Sequence, residues 1–146
     1  MKTLLVCVDF SEGTDRLLAQ AARLAWTFNE RIVLLHVAQP EPEFVGFDPG
    51  PDSVRDQMAT QYHREHQRVQ AEGDDLRECG LAVETLCVQG PTAETILDHA
   101  KRLDADMVLL GTHGHGALHH LMAGSVCQAV IRKATCPVLL VPSQVS

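Results

Sequence analysis

The amino-acid sequence predicts an α/β fold in which a parallel sheet is covered by helices on both faces. Two observations lead to this prediction. Short, nearly continuous apolar runs alternate with longer helix-forming stretches from one end of the chain to the other. Such runs are typical of strands buried on both faces, and right-handed crossovers between them give a doubly wound sheet. At 146 residues, the chain has the size of one domain, which we assign to residues 1–146.

The apolar runs predict a five-stranded sheet. The strands are expected at residues 3–8, 31–37, 82–88, 106–111 and 137–142. A helix with Ser11 as its N-cap is expected to connect the first two strands and to end near Phe28, because serine is a favoured capping residue.

The remaining connections are three helices and one loop. A long amphipathic helix is predicted from Ser53 to Glu78, and Gly73 within it predicts a kink or an early end. The segment 39–52 before this helix is rich in proline and predicts a loop. A third helix is expected to start at Pro91 and to end near Leu103, and the last helix covers residues 124–133.

Composition and charge restrict the class of partner. The formal net charge of −7 disfavours nucleic acid, because binding to polynucleotides requires many basic side chains. The negative charge does not exclude a small anion as a ligand, because such a ligand needs only a few local donors. No apolar run approaches the length of a membrane span. The five cysteines show no zinc-binding spacing and indicate a reducing compartment, so we expect a cytoplasmic protein that binds neither membrane nor nucleic acid.

The most specific signal is a glycine-rich segment between the fourth strand and the last helix. Gly111-Thr-His-Gly114 is followed after nine residues by Gly124-Ser125. Glycines let backbone N–H groups approach an anion, and a helix N-terminus favours negative charge. A loop that only turns the chain and caps the helix is the alternative, but connections of about a dozen residues are usually functional or disordered.

Three distant parts of the chain are predicted to meet at one edge of the sheet. Asp9, Val37 and Gly111 follow the first, second and fourth strands. Ligands of doubly wound sheets bind at the carboxyl ends of the strands, where the strand order reverses. Asp9 there suits either ribose hydroxyl groups or a turn before the first helix.

The motif and the strands resemble the universal stress protein family. The pattern Gly-x-x-Gly-x9-Gly-Ser after an apolar strand is similar to the family's ATP-binding motif. Three further stretches resemble its strands, and the similarity extends over essentially the whole chain: Leu4–Glu12, Ile32–Val37 and Thr135–Val141. The resemblance implies a Rossmann-like fold of the adenine nucleotide alpha hydrolase-like type.

The resemblance also implies roles for particular residues. Val37 would read the adenine edge through its backbone, Asp9 would bond the ribose, and Val8 would line the site through its backbone. Leu110 would pack near the sugar or base. The phosphate and ribose contacts would come from the matched motif positions: Gly111, His113, Gly114, Gly124, Ser125 and Val126. The implied ligand is ATP or another adenine nucleotide, with or without Mg²⁺.

The histidines of the motif segment raise the question of a metal. His113, His115, His119 and His120 lie close together in sequence. No cysteine or carboxylate completes a ligand set among them, and His113 belongs to the family pattern, so we predict no metal-binding residues. At the position of His115 many relatives carry a basic residue. We therefore expect affinity for nucleotide to fall as the pH rises through the pKa of this histidine in the complex.

The implied function is a stress-response module that is regulated by a bound nucleotide. No lysine or arginine occurs between residues 111 and 131, so we expect at most slow ATP hydrolysis and assign no catalytic residues. A weak ATPase and a nucleotide-free dimeric interaction module are the alternatives. The resemblance also implies a homodimer through the strand at 137–142 and a regulatory protein partner whose identity the sequence does not specify.

Overall fold

Five parallel strands form one sheet in the order β3-β2-β1-β4-β5. The structure is a computed structural model that describes residues 2–39, 52–112 and 124–143. The strands lie at β1 (Thr3–Cys7), β2 (Arg31–Ala38), β3 (Val83–Gln89), β4 (Met107–Gly111) and β5 (Val138–Val141). All four pairings between neighbouring strands are parallel. The predicted fold class is confirmed, and each strand lies within two residues of its expected position.

In the described part of the chain, four helices cover the two faces of this sheet: α1 (Thr14–Phe28), α2 (Asp52–Glu78), α3 (Thr92–Arg102) and α4 (Ser125–Lys133). Alternate residues of each strand point to opposite faces. Leu34 belongs to the core layer that includes residues of α1 and α2. Leu35, its neighbour, belongs to the layer formed with α3 and α4. Both leucines are fully buried, which explains why the strands read as continuous apolar runs.

The start of α1 differs from the prediction. The N-cap is Gly13 and not Ser11. The Asp9 carboxylate accepts the Ser11 N–H at 3.0 Å, and the Ser11 carbonyl accepts the Thr14 N–H at 3.1 Å. These two bonds form a turn before the helix. Ser11 belongs to this turn and does not cap the helix.

The long helix α2 continues through Gly73 to Glu78, so the predicted early end is wrong. Gly73 is buried against β3, where the absence of a side chain allows close packing. Of the proline-rich segment 39–52, residues 40–51 lie outside the described residues. Within the described part of the chain, no helix is long and apolar enough to cross a membrane.

The topology fixes where a ligand site is expected. From β1 the chain proceeds outward through β2 to β3, then returns to the other side of β1 as β4 and continues to β5. The order therefore reverses between β1 and β4. The carboxyl ends of these two strands diverge into helices on opposite faces, which leaves a crevice between them.

Candidate functional site

A cleft of about 550 Å³ opens at the carboxyl ends of β1, β2 and β4. All the predicted site residues that the structure describes line it: Val8, Asp9, Val37, Leu110, Gly111, Gly124, Ser125 and Val126. His113, Gly114 and His115 lie outside the described residues. The fold therefore brings together four separate stretches of sequence at the reversal of strand order. Whether these residues bind a nucleotide remains a prediction.

The amino end of α4 forms one wall of the cleft. Gly124 is its N-cap, with no side-chain cap, and the first turn contains no acidic residue. Ser125 is the first helical residue and therefore not the N-cap. The first bond of the helix runs from the Gln128 N–H to the Gly124 carbonyl. The N–H groups of residues 124–127 precede it, and such groups suit an anion.

The glycines of this wall are not required by packing against the described residues. A Cβ on Gly111 or on Gly124 would meet no described atom within 4 Å. Gly124 also has an ordinary negative φ of −56°, which other residues adopt readily. Among the described residues, the space next to either glycine is therefore open. The glycines thus leave room for a bound group to approach the backbone.

Val37 presents its backbone to the cleft, and the register of β2 shows why. In a parallel strand, alternate residues bond to opposite neighbours. The Ala38 carbonyl accepts from Gly90 next to β3, whereas the Leu35 carbonyl accepts from Val8 next to β1. The backbone N–H and carbonyl of Val37 therefore point toward the β1 side. They lie just past the last residue pair of that ladder, Cys7 with Leu35. Neither its N–H nor its carbonyl bonds to a described residue.

Of the two roles that the sequence left open for Asp9, the structure shows the turn before the first helix. One carboxylate oxygen accepts the Ser11 N–H and forms the turn before α1. The side chain is exposed and lines the cleft. A carboxylate has about four acceptor positions, so Asp9 retains the capacity to accept hydrogen bonds from a hydroxyl group in the cleft.

A polar chain from α2 reaches the same cleft, and sequence reasoning missed it. His36 Nδ1 lies 2.8 Å from the Val8 carbonyl oxygen, and its Nε2 lies 3.2 Å from Glu65 Oε2. Gln61 in turn donates to Glu65 Oε1 at 3.3 Å. All three side chains line the cleft. The signal that could have found them is one histidine inside the otherwise apolar run Ile32–Ala38.

The floor of the cleft contains two thiols, Cys7 and Cys127. Burial raises the pKa of the Cys7 thiol far above its ordinary value, and the neighbouring Cys127 adds to this effect. Burial also raises the pKa of Cys127, as does the charge of Asp9. The Cys127 thiol donates to the Gly111 carbonyl at 3.2 Å. Both groups are therefore neutral thiols near neutral pH and behave as apolar packing rather than as nucleophiles.

The charges around the cleft are sparse. Its described lining contains the carboxylates of Asp9 and Glu65 but no lysine or arginine. Thr112 at the end of β4 also lines the cleft, and its Oγ1 is buried without a hydrogen-bond partner among the described residues. In the described residues no group of three potential metal ligands is found. Among the described residues, an anion in this cleft would meet N–H and O–H donors and no cationic side chain.

The chain is similar in sequence to universal stress proteins over nearly its whole length. The family model described as Universal stress protein family matches residues 1–142. The Thermus aquaticus universal stress protein in the QAH/OAS sulfhydrylase 3′ region is 33% identical over 141 residues, which cover 96% of this chain and 98% of that protein. The Bacillus subtilis universal stress protein YxiE is 28% identical over 143 residues, with 94% and 97% of the two chains covered.

Solved structures show the same fold. Universal stress protein UspA from Lactobacillus plantarum superposes with a TM-score of 0.83 at 21% identity, covering 96% of this chain and 97% of that one. A universal stress protein in complex with cAMP gives 0.68 at 19% identity, with 98% of both chains covered. An Archaeoglobus fulgidus universal stress protein in complex with dAMP gives 0.64 at 20% identity, with 96% and 97% covered.

Proposed function

We propose that this chain, which belongs to the universal stress protein family, holds an adenine nucleotide in its cleft and acts as a stress-response module whose interactions depend on nucleotide occupancy. One observation carries the proposal: two different recognition elements meet in the same cleft. The open backbone edge of Val37 suits a base. The uncapped amino end of α4 suits phosphate groups.

The other described residues fit the parts of a nucleotide between these two elements. The Asp9 carboxylate suits ribose hydroxyl groups, which are hydrogen-bond donors. Leu110 and the neutral thiols of Cys7 and Cys127 offer an apolar floor. The volume of about 550 Å³ lies within the usual range for small-molecule sites, about 300–1,000 Å³. Two similar structures were determined with cAMP and with dAMP, which supports adenine as the base.

Within this class we propose ATP as the resident ligand. The support is the length of the glycine-rich segment, from Gly111 to Ser125, which offers donors for more than one phosphate. Asp9 and Glu65 are the only carboxylates in the described lining, and Glu65 contacts His36. Mg²⁺ would therefore be held mainly by the phosphates, with water completing its shell. The chain's own residues bind and orient the nucleotide.

We propose retention of ATP rather than rapid hydrolysis. Phosphoryl transfer uses fixed cations and a group that positions water near the γ-phosphate. The described lining of the cleft contains no lysine or arginine. Since the donors among the described residues are backbone N–H groups and hydroxyls, they would stabilise bound phosphates without supplying the charge that the transition state requires. Any hydrolysis would be slow on the time scale of nucleotide exchange.

The test begins with the purified protein. Small molecules released on denaturation are identified by mass spectrometry, and we expect ATP. The nucleotide-free protein is then titrated with ATP, ADP and AMP by calorimetry, with and without Mg²⁺, and phosphate release is followed in parallel. Gly124→Val places a branched side chain at the amino end of α4, and we expect it to weaken ATP binding by at least about tenfold.

The matched control is Gln128→Val, which adds the same side chain one turn later on α4, at an exposed position outside the cleft lining. It should bind ATP like the parent. A parent protein that releases and binds no nucleotide would contradict the proposal and support the nucleotide-free interaction module. Equal affinity of Gly124→Val and the parent would instead show that the amino end of α4 does not contact the phosphates.

We also propose that two copies associate through β5 and that the protein is cytoplasmic. β5 is at one edge of the sheet, and an unpaired edge strand favours pairing with another chain. All five cysteines are free, in accord with a reducing compartment. The regulatory partner would then recognise the dimer in a manner that depends on the nucleotide.

A further inference from the structure

We propose that His36 is a positioning residue for base recognition: its imidazole occupies the Val8 carbonyl and thereby keeps the backbone of Val37 open to the cleft. This inference rests on the proposed function, since it assigns a cause to the recognition edge used there. It concerns a buried side chain that is 6% exposed and that contacts the ladder between β1 and β2 at its last hydrogen bond.

The backbone ladder between β1 and β2 ends at the bond from Val8 to Leu35. The Val8 N–H donates to the Leu35 carbonyl at 2.9 Å. In a regular parallel ladder the next bond would run from the Val37 N–H to the Val8 carbonyl. Among the described residues this bond is not formed, and the Val8 carbonyl instead lies 2.8 Å from His36 Nδ1. A side chain of β2 has therefore replaced a backbone group of the same strand as the donor to β1.

The imidazole ring of His36 has a polar contact on each side. A carbonyl oxygen only accepts, so Nδ1 of His36 donates to Val8. On the far side of the ring, Nε2 lies 3.2 Å from Glu65 Oε2. Gln61 donates to the other oxygen of Glu65 at 3.3 Å, so α2 holds the imidazole by its far nitrogen.

Packing fixes the ring from a third side. The Phe10 ring lies against the imidazole with a centroid separation of 4.4 Å, and the Arg68 guanidinium lies 4.5 Å from the Phe10 centroid. Phe10 has a positive φ of 62°, which L side chains rarely adopt. The turn after β1 thus accepts an unfavourable backbone conformation while its aromatic ring covers His36. The contacts with Val8 and Glu65 and this tilted ring contact leave the imidazole little freedom.

The consequence is a directional pair of backbone groups at the cleft. Val37 offers one donor, its N–H, and one acceptor, its carbonyl. Adenine presents the complementary acceptor N1 beside the donor N6 amino group, whereas guanine presents a donor at N1 and an acceptor at O6. If the Val8 carbonyl were free, it would compete for the Val37 N–H and close the ladder. His36 therefore maintains the preference for adenine over guanine without touching the base.

Two substitutions separate this role from general core packing. His36→Asn keeps an amide N–H near the position of Nδ1, within reach of Val8. His36→Gln moves that amide one bond farther, toward Glu65, and gives up the Val8 contact. Both are polar side chains without a ring, so each disturbs the core in a similar way. Urea unfolding confirms that both variants are folded before any other comparison.

The first readout needs no ligand. Amide hydrogen exchange, followed by NMR, is compared at Val37 and at Leu35, whose N–H lies within the paired part of β2. We expect Val37 to exchange at least about tenfold faster than Leu35 in the parent protein and in His36→Asn. In His36→Gln the freed Val8 carbonyl takes the Val37 N–H, and exchange at Val37 should slow by about tenfold.

The second readout is the ratio of the dissociation constants for GTP and ATP. We expect His36→Gln to lower it by at least about tenfold and His36→Asn to preserve it. Unchanged exchange at Val37 together with an unchanged ratio in His36→Gln would overturn the inference while leaving the proposed function intact. A parent protein that binds neither nucleotide would overturn the proposed function and, with it, this role of His36.

Discussion

Gly73 of α2 lies against Thr85 of β3 so closely that a Cβ on Gly73 would overlap the Thr85 methyl group. A glycine inside a helix costs about 0.5–1 kcal/mol relative to alanine. Here that cost accompanies the close approach of a 27-residue helix to the sheet. The same helix supplies Glu65 to the cleft, so the packing at Gly73 also helps to place a residue of the candidate site.

Gly73→Ala should therefore destabilise the protein, although alanine is the better helix former. Overpacking of a well-packed contact costs about 1–3 kcal/mol, which exceeds the propensity gain of about 1 kcal/mol. Urea denaturation of the parent and the variant measures the difference. Thr85→Ser removes the overlapping methyl group, so the double variant should recover most of the loss. A single variant that is more stable than the parent would contradict this interpretation.

Gly73 also shows where sequence reasoning reached its limit for the fold. The periodicity of apolar residues predicts which segments are strands and helices, because burial on both faces of a sheet requires continuous apolar runs. It does not state which strand a helix will contact. Gly73 and Thr85 are distant in the sequence, so the reason for the glycine is a tertiary contact. At Ser11 the contact is local, since the Asp9 carboxylate that accepts its N–H belongs to the same turn.

For the candidate site, the sequence predicted the residues that follow strands and the residues that open α4. The topology places these positions at one edge of the sheet, and their roles come from the glycine-rich motif and the family resemblance. Val37 was assigned only through the family resemblance, since recognition by backbone groups leaves no side-chain signature, and its exposed edge is visible only from the register. His36 and Glu65 are 29 positions apart, and a histidine within an apolar strand is easily taken for core.

Glu72 of α2 should make stability depend on pH in an unusual direction. Its Oε2 is buried without a hydrogen-bond partner among the described residues. Burial raises the pKa of this carboxyl, Arg68 opposes the shift and Asp15 adds to it. The folded state therefore binds the proton more tightly than the unfolded state does. The resulting penalty is present above the raised pKa and disappears as the pH falls below the ordinary value of 4.5.

Glu72→Gln removes this charge and should stabilise the protein at pH 7 by up to about 1 kcal/mol. The advantage should shrink as the pH is lowered through the raised pKa. Denaturation midpoints between pH 4 and pH 8 provide the measurement. Glu12→Gln, at an exposed position, controls for the general effect of removing one negative charge from an acidic protein. A gain that is the same at every pH, or equal in the control, would speak against the buried carboxyl.

The edge of β5 permits a selective test of the proposed dimer. The bonds to β4 use the carbonyls of Pro137 and Val141, so by alternation the Leu140 N–H faces away from β4. Leu140→Pro removes this outward donor, and Leu140→Ala makes a comparable loss of side-chain packing while keeping it. We expect sedimentation equilibrium to show dimers for the parent and the alanine variant. The proline variant should dissociate at least about tenfold more readily.

The two possible failures have different meanings. Equal dimerisation of the proline and alanine variants would show that the backbone edge of β5 is not the interface. A parent protein that is monomeric at micromolar concentration would contradict the dimer itself. Neither result affects the cleft, whose described lining includes no residue of β5.

Thr112 offers a test in which stability and binding move in opposite directions. Thr112 lines the cleft, and its Oγ1 is buried without a partner among the described residues. Its N–H donates to the Val141 carbonyl at 3.2 Å. Thr112→Val keeps the shape and removes the hydroxyl. An unpaired buried group costs about 1–3 kcal/mol, so the nucleotide-free variant should gain about 1 kcal/mol in the free energy of unfolding.

If the hydroxyl donates to a bound phosphate, the same variant should bind ATP about five- to tenfold more weakly, since one such bond contributes about 1–1.5 kcal/mol. Thr112→Ser keeps the hydroxyl and should retain the affinity. Urea denaturation without nucleotide and calorimetric titration with ATP supply the two values. A valine variant that loses both stability and affinity would show that Thr112 supports the fold of the β4 end rather than the ligand. A gain in stability with unchanged affinity would place the phosphates away from Thr112. The hydroxyl would then lack a hydrogen-bond partner both with and without the ligand.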